Sequence, residues 1–343
     1  MPGGNAQQKL RQSLTVIVPV FNEHARIAGT LEAAGAAVSN SCFDATFVVV
    51  DDGSTDGTAE AARTARLGHP VEIISQPNSG RVAARRAGLA AASGEFSLFL
   101  DSRTIMEADG LAFVCRRLAE GELVWNAHVT IDTDRNPYAK FWKVVTYVAW
   151  GEYLLRPRTT SFTASNFDAY PKGTTCFLAP TALLREGFAQ LTSYFADMRY
   201  ASDDTPTIRW IASRQPIHIS PEFACEYTAR TTLKGFARHA FARGTVFLDG
   251  HGRRESRFFP VVIAFYPLSL VALAISLRRP RLAARSAAGG VAAAAAAALA
   301  RGFTPSEAAS FALLAPIYTV AHGLGMWRGL AMAIAARVRP RRP

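Results

Sequence analysis

The stretch Phe47 to Thr58, FVVVDDGSTDGT, decides how this chain is read. Phe47-Val48-Val49-Val50 is too short an apolar run for a helix, and its β-branched residues suit a strand buried on both faces of a parallel sheet. The run stops at Asp51 and Asp52. Gly53-Ser54 and then Thr55-Asp56-Gly57-Thr58 supply a turn followed by a helix start, with Asp56 or Thr58 as cap and the helix running to about Leu67. Carboxylates at the carboxyl end of a buried strand stand where open α/β sheets bind ligands.

Upstream, Leu14 to Val20 (LTVIVPV) forms an earlier strand ending in Phe21-Asn22-Glu23. Pro19 near its carboxyl end points to an edge or opening strand whose tip faces a ligand. A helix from about Arg26 to Ser39 follows, with Ile27, Leu31 and Ala34 on one face. Strand, helix, strand implies a right-handed crossover and a parallel pair, so Glu23, Asp51 and Asp52 face one crevice.

Downstream, a strand at Val71 to Ser75 leads through the loop Gln76 to Gly80 into a helix from Arg81 to Ala92. Arg81, Arg85 and Arg86 in its first turns make either an anion site for a diphosphate or a solvated basic face. Glu95 to Leu100 is a strand ending at Asp101-Ser102-Arg103. A helix over Gly110 to Gly121 and a strand over Leu123 to Ile131 come next. The aromatic, amphipathic segment Tyr138 to Leu155 either covers the sheet or touches lipid, and the polar Thr159 to Tyr170 reads as a mobile loop over the site.

Gly173-Thr174-Thr175 precedes a strand at Cys176 to Ala179, where a glycine admits a ligand close to the backbone and hydroxyls can donate to its oxygens. Asp203 and Asp204 precede a helix from Thr205 to Ser213. Two adjacent carboxylates either split their pKa values to leave one as a base, or cap that helix. Ile217 to Tyr227 closes the domain with a strand.

Taken in order, VIVPVFNE (Val16 to Glu23), VVVDDGSTDGT, QPNSGRVAARRAGLAAASGEFSLFLDSR (Gln76 to Arg103), YPKGTTCFLAP (Tyr170 to Pro180) and ASDDTPTIRW (Ala201 to Trp210) resemble the family 2 glycosyltransferases over about Leu14 to Thr232. The resemblance implies an α/β fold, a Rossmann-like GT-A domain followed here by C-terminal transmembrane helices, and transfer of a sugar with inversion. It implies that Pro19, Phe21, Glu23, Asp51 and Asp52 hold the base and ribose, and that Arg81, Arg85, Asp101, Ser102 and Arg103 complete the donor site. It further implies that Gly173, Thr174 and Thr175 shape the acceptor side, with Asp204 as the base and Asp203 beside it. The role of Arg86, where the family often has Asn, stays open. Arg209-Trp210 falls too close to these acids to be the Gln-x-x-Arg-Trp of processive synthases.

Arg103 departs from the pattern, because the family has there the last acid of Asp-x-Asp, the main ligand of a divalent cation. A guanidinium cannot bind a cation but can neutralise a diphosphate. Three readings follow: Mg or Mn held by Asp101 and other acids, metal-free catalysis with Arg103 as the electrophile, or an inactive relic.

Of the 343 residues, 49% are hydrophobic and 19% charged, and the apolar surplus lies after Arg257. The net charge of +11 is mostly arginine flanking apolar runs. With no nucleic-acid motif present, anionic lipid and nucleotide-sugar phosphates explain the charge, and nucleic acid is not expected as a partner. Cys42, Cys115, Cys176 and Cys225 are far apart, which predicts buried thiols in a reducing compartment with no disulfide framework and no zinc site. The polar start, MPGGNAQQKLRQ, lacks an apolar core, so no signal peptide is expected and the catalytic domain is expected in the cytosol.

The expected organisation is a polar tail (1–13), the GT-A domain (14–232), a basic amphipathic interfacial segment (233–257), a membrane region of two or three apolar helices (258–336) and an arginine-rich tail (337–343). In the interfacial segment Leu233, Phe236, Ala237, Ala240 and Phe241 share a face while Lys234, Arg238 and Arg243 occupy others, which suits either a lipid anchor or a docking helix. Phe258 to Leu277 is long enough to cross a bilayer, Ala287 to Ala300 is small and weakly hydrophobic, and Ala308 to Trp327 is a third candidate. Hydropathy favours three crossings. The positive-inside tendency favours a re-entrant first run and a hairpin of the last two, with Arg301 to Glu307 outside and Arg337 to Arg342 inside.

The expectation is therefore a multi-pass inner-membrane enzyme of single addition, taking a nucleotide diphosphate-sugar, UDP-sugar as the first guess, to a lipid-linked or polysaccharide acceptor. The alternative is a catalytically silent membrane partner of another transferase, which would keep the fold and tolerate Arg103. A nucleotidyltransferase would instead be soluble and begin with a glycine-rich phosphate loop that VPVFNE lacks.

Overall fold

The computed structural model describes residues 11–338; the polar stretch before Arg11 and the arginine-rich stretch beyond Val338 lie outside the described residues. Nine strands form one mixed sheet: β1 (Gln12–Val20), β2 (Phe43–Asp51), β3 (Val71–Ser75), β4 (Phe96–Leu100), β5 (Thr104–Met106), β6 (Trp125–Ile131), β7 (Thr160–Phe162), β8 (Cys176–Pro180) and β9 (Ile217–Tyr227). Their order is β3-β2-β1-β4-β8-β6-β9-β5, with β7 on β9. The first four run parallel, and β8 is antiparallel to both β4 and β6. This is the GT-A, Rossmann-like arrangement expected from the sequence.

The β2 run explains the layering. Phe47 and Val49 point to one face, where they pack with Ile27, Leu31 and Ala34 of α1 (His24–Ser39). Val48 and Val50 point to the other, against Ala84 of α3 (Arg81–Ala91). A strand covered on both sides has no polar face to show, which is why its sequence is continuously apolar. The intervening helix α2 (Thr58–Arg63) is shorter than expected.

β1 is interior rather than at an edge. Pro19 is tolerated there because β4 pairs only with Leu14 to Ile17, so the proline lies past the last β4 pair and its missing N–H interrupts no ladder. The expected mobile loop over 159–170 is also corrected. It contains β7, paired with β9, and a 3-10 turn at Phe167–Ala169, both pinned by the buried rings of Phe162 and Phe167.

The cysteine expectation is corrected as well. Cys42, at the start of β2, and Cys115, on α4 (Gly110–Leu118), form a disulfide with Cα atoms 5.9 Å apart across 73 residues of sequence. Cys176 and Cys225 are free and both buried, as expected. Sequence spacing carries no information on such pairs, because the sheet and its covering helices bring them together.

The remaining helices are α5 (Pro137–Leu154), α6 (Thr181–Ala189), α7 (Thr205–Ala212), α8 (Leu233–His251), α9 (Phe259–Arg278), α10 (Pro280–Ala300) and α11 (Pro305–Val338). Asn136 caps α5 by accepting from the Tyr138 and Ala139 N–H groups, and the helix is kinked at Trp150. Neither single reading of this segment is complete. Phe141 packs on Phe236 of α8 and Leu314 of α11, while Tyr153 and Leu154 reach the sheet core.

α8 buries its apolar face on α11, with Gly244 against the His322 carbonyl and Gly325 against the Phe241 carbonyl. A β-carbon at either position would collide with backbone, so the helices meet backbone to backbone. Three helices, α9, α10 and α11, are long and apolar enough to cross a membrane. The first two are hardly packed, with Leu268 of α9 64% and Leu299 of α10 49% exposed.

α11 differs. At its start Glu307 is ion-paired with Lys143 of α5 at 2.6 Å, and further along Met326 and Ala333 pack with Phe195. The helix therefore lies along the domain, with Leu313, Ile317, Val320 and Leu324 bare on its outer side. The segment Arg301 to Glu307 sits on the catalytic-domain side.

Candidate active site

The carboxyl ends of β1, β2 and β4 share one rim, as the parallel register requires. Phe21 is 47% exposed there and free to stack on a planar ring. Glu23 is buried and central: its Oε1 accepts from Arg103 Nε at 2.6 Å and from Arg230 Nη1 at 3.2 Å, with Arg26 at 3.6 Å from Oε2. Arg103 also donates to the Thr228 carbonyl at 3.3 Å and lines a cavity of about 210 Å³ with Arg26, Thr30 and Thr228. Its charge is thus already answered by Glu23.

The two β2 acids divide. Asp51 accepts from the Ser54 N–H at 3.0 Å. Asp52 accepts from Gln76 Nε2, the Ser79 N–H and the Gly80 N–H at 2.7 to 2.8 Å, so both of its oxygens organise the loop leading to α3. Ser102 is buried, and its carbonyl accepts from Thr30 Oγ1.

Arg85 ties the predicted motifs together. Only 1% exposed, it bonds Asp203 Oδ2 and Asp101 Oδ1, the latter at 2.8 Å, and reaches the Thr174 carbonyl at 3.4 Å. One guanidinium thereby joins the end of β4, the paired acids and the Gly173-Thr174 turn. Arg81 is 61% exposed and stands 3.4 Å from Asp203 Oδ1. Arg86 does not join them; it donates to the Phe188 carbonyl.

Asp203 and Asp204 are therefore unlike. Asp203 is held by two arginines at the base of the site. Asp204 caps α7 through Oδ1, accepting from the Thr205 N–H (2.5 Å), Thr205 Oγ1 (3.1 Å) and Ser202 Oγ (3.0 Å). Its Oδ2 faces Gly173, where a β-carbon would approach to 4.0 Å, and is left for an incoming ligand. Burial pushes the Asp204 carboxyl up, but Arg81, the Thr205 N–H, the Ser202 hydroxyl and Arg243 outweigh it and hold it below the usual carboxylate range. It is ionised at neutral pH, as a proton acceptor must be. The capping and base readings of Asp204 are compatible, one oxygen for each.

Gly173 donates its N–H to Asn126 Oδ1 at 3.1 Å, which fixes the turn against β6. Thr174 is buried and Thr175 half-buried. Behind them Asp168 gathers Arg209 of α7 (3.0 Å), Lys172 (3.4 Å) and the Arg257 N–H before α9 (2.9 Å). Burial pulls the Lys172 ammonium down to about 8 against the attraction of Asp168.

Several of these residues have no sequence signal. Asp249 of α8 is buried and accepts from the Tyr194 N–H at 2.7 Å and the Ser202 N–H at 2.8 Å, bracing the loop that carries Asp204. Arg230 and Asp168 likewise lie outside every motif. Helical periodicity groups α8 residues by face, yet it does not say which face meets the site.

The protein side chains alone do not form a ready-made cage for a divalent cation. Among the described residues no three His, Cys, Asp or Glu side chains cluster for metal binding, and Asp101 already answers Arg85. The arrangement offers instead one bare carboxylate oxygen beside an open arginine, suited to moving a proton next to a leaving anion.

Comparison with known proteins bears on the family and the fold. The family model "Glycosyl transferase family 2" matches residues 15–188. Glycosyltransferase GlyA of Streptococcus pneumoniae is 32% identical over 108 residues, which is 31% of this chain and 15% of that protein. Dodecaprenyl-phosphate galacturonate synthase of Rhizobium johnstonii is 35% identical over 91 residues, 26% of this chain and 27% of that one. The matched stretches thus span less than a third of these relatives. S. aureus TarS 1-349 in complex with UDP-GlcNAc is 18% identical, with 95% of this chain and 91% of that chain covered at a TM-score of 0.51, a likeness of fold.

Proposed function

Because the chain belongs to glycosyl transferase family 2, we propose that it transfers a sugar, with inversion, from a nucleoside-diphosphate donor to a lipid-linked or membrane-proximal glycan acceptor in envelope or exopolysaccharide synthesis. The observation that carries the reading is Asp204, bound through Oδ1 and bare at Oδ2 beside Gly173. Asp204 takes the acceptor hydroxyl proton as that oxygen attacks the anomeric carbon from the face opposite the diphosphate. The bond from the anomeric carbon to the diphosphate oxygen breaks, and the leaving anion departs beside Arg81. Phe21 and Asp51 bound the nucleoside pocket, while Asp52 shapes it through its loop. A UDP-sugar remains the first donor to try.

The lipid-linked acceptor is supported by the three apolar helices and by the likeness to the Rhizobium dodecaprenyl-phosphate galacturonate synthase. We read α9 and α10 as a membrane hairpin and α11 as lying along the interface, with the catalytic domain on the cytoplasmic side of the inner membrane. Val262 near the start of α9 and Ala298 near the end of α10 both pack on the domain side, which suits a hairpin that leaves and returns. Arg278, Arg279, Arg281 and Arg285 then lie at its far tip, against the positive-inside tendency. The ion pair of Glu307 with Lys143 supports this reading, because it ties the start of α11 to the domain.

A silent partner of another transferase is the second reading, favoured only by Arg103. Sugar transfer from a labelled donor to membrane lipid by Asp204→Asn separates the two. Loss of roughly a thousand-fold in turnover, with nucleotide binding retained, supports the enzyme; unaltered cellular function in that variant supports the silent partner.

A further inference from the structure

Arg243 lies on the exposed side of α8, makes no ion pair or hydrogen bond among the described residues, and has its Cζ 5.2 Å over the Trp142 ring. Its place relative to the site is fixed by the helix. Gly250, seven residues on and so on the same face, is where a β-carbon would lie 3.1 Å from Ser202 Oγ and 3.7 Å from Thr205 Oγ1, the groups that bind Asp204. Arg243 therefore stands two turns, about 10 Å, along the face that meets the Asp204 loop. On its other flank are His239 and Trp142, whose rings are 5.1 Å apart, and Tyr318 of α11, 5.6 Å from Trp142.

Arg243 thus sits between the catalytic carboxylate and the apolar helices. Its positive charge helps hold Asp204 down and also acts on Tyr227 at the rim. The other arginines of the site are committed: Arg103 to Glu23, Arg85 to Asp101 and Asp203, and Arg81 in part to Asp203.

We propose that Arg243 is a phosphate anchor, binding either the donor's diphosphate or the phosphate of a lipid-linked acceptor that enters along α8 and α11. The proposal rests on the function proposed above and names a residue that it does not require. A planar guanidinium backed by an indole is a preorganised partner for phosphate oxygens. It supplies the uncommitted positive charge that Arg103, tied to Glu23, does not.

The test is binding to the full-length protein, in detergent or nanodiscs, of three probes: inorganic pyrophosphate, UDP or GDP, and nanodisc lipid with and without a polyprenyl monophosphate. Arg243→Ala is expected to weaken at least one probe by roughly ten- to a hundred-fold. Arg243→Lys should fall between, and Arg238→Ala, on another face of α8, should match wild type. Loss with pyrophosphate and nucleotide assigns the anchor to the donor; loss confined to polyprenyl phosphate assigns it to the acceptor. Wild-type binding of all three probes by Arg243→Ala overturns the proposal. If wild type binds no nucleotide, the glycosyltransferase reading fails, while the pyrophosphate and polyprenyl arms still decide Arg243. Wild-type protein that binds none of the probes overturns both.

Discussion

Arg103 donates to Glu23 across the rim at 2.6 Å, in the place where a metal-binding acid would stand. Both side chains are below a tenth exposed, so the pair is structural before it is electrostatic. Arg103→Ala leaves Glu23 with Arg230 and Arg26, and should cost about 1–3 kcal/mol of stability, short of the loss for a wholly orphaned buried charge. Thermal unfolding in detergent measures it. A variant as stable as wild type but unable to bind nucleotide would instead make Arg103 a direct donor ligand.

Asp203→Asn should behave differently from Asp204→Asn. Asp203 is 2% exposed and balances buried Arg85, so its neutralisation should lower the unfolding free energy by about 3 kcal/mol and turnover along with it. Asp204→Asn should unfold close to wild type, because an amide oxygen still accepts from the Thr205 N–H. Denaturant titration beside turnover separates the two acids; equal destabilisation would refute the division of roles.

The contact between Glu307 and Lys143 predicts sidedness. In sealed vesicles a membrane-impermeant maleimide should label Ser306→Cys from the catalytic-domain side and Arg281→Cys from the opposite side. The parent protein without either new cysteine sets the background, to which buried Cys176 and Cys225 should add little. Labelling of both positions from one side would show that α9 and α10 do not cross.

Lys172 predicts a pH dependence. Its folded pKa, about 8, lies below the ordinary 10.5, so between these values the unfolded chain binds more protons and stability rises with pH. The cost of burying the ammonium is full below about 8 and is relieved on going toward 10.5. Wild type should therefore gain on Lys172→Met across that window, by on the order of 3 kcal/mol at most. A difference that stays flat with pH would mean that Lys172 is charged throughout.

Reduction of the Cys42 and Cys115 bridge should lower the thermal midpoint and leave turnover unchanged. The bridge closes a loop of 73 residues, for which chain entropy allows about 4 kcal/mol, and it joins the amino end of β2, remote from the carboxyl-end site. A cytoplasmic domain would keep the pair reduced in the cell. Parallel melting and transfer assays with and without reductant check both halves.

The sheet and the rim are legible in local sequence pattern alone. Continuous apolar runs at Val16 to Val20 and Phe47 to Val50 suffice for buried parallel strands, and parallel strands put Glu23, Asp51 and Asp101 on one edge, because local pattern and crossover handedness leave little choice. Local pattern also gave Asp203 and Asp204 as the acids to examine, but not their difference, which depends on Arg85 and Arg81 reaching one and on Ser202, Thr205 and Gly173 surrounding the other. Long-range packing alone fixes that Asp52 serves a loop, that Arg103 answers Glu23, that Cys42 meets Cys115, and that α11 lies along the domain. Each of those is a pairing between segments far apart in the chain. Periodicity and motif record what a residue does within its own strand or helix, while its partner across the fold is fixed by packing alone.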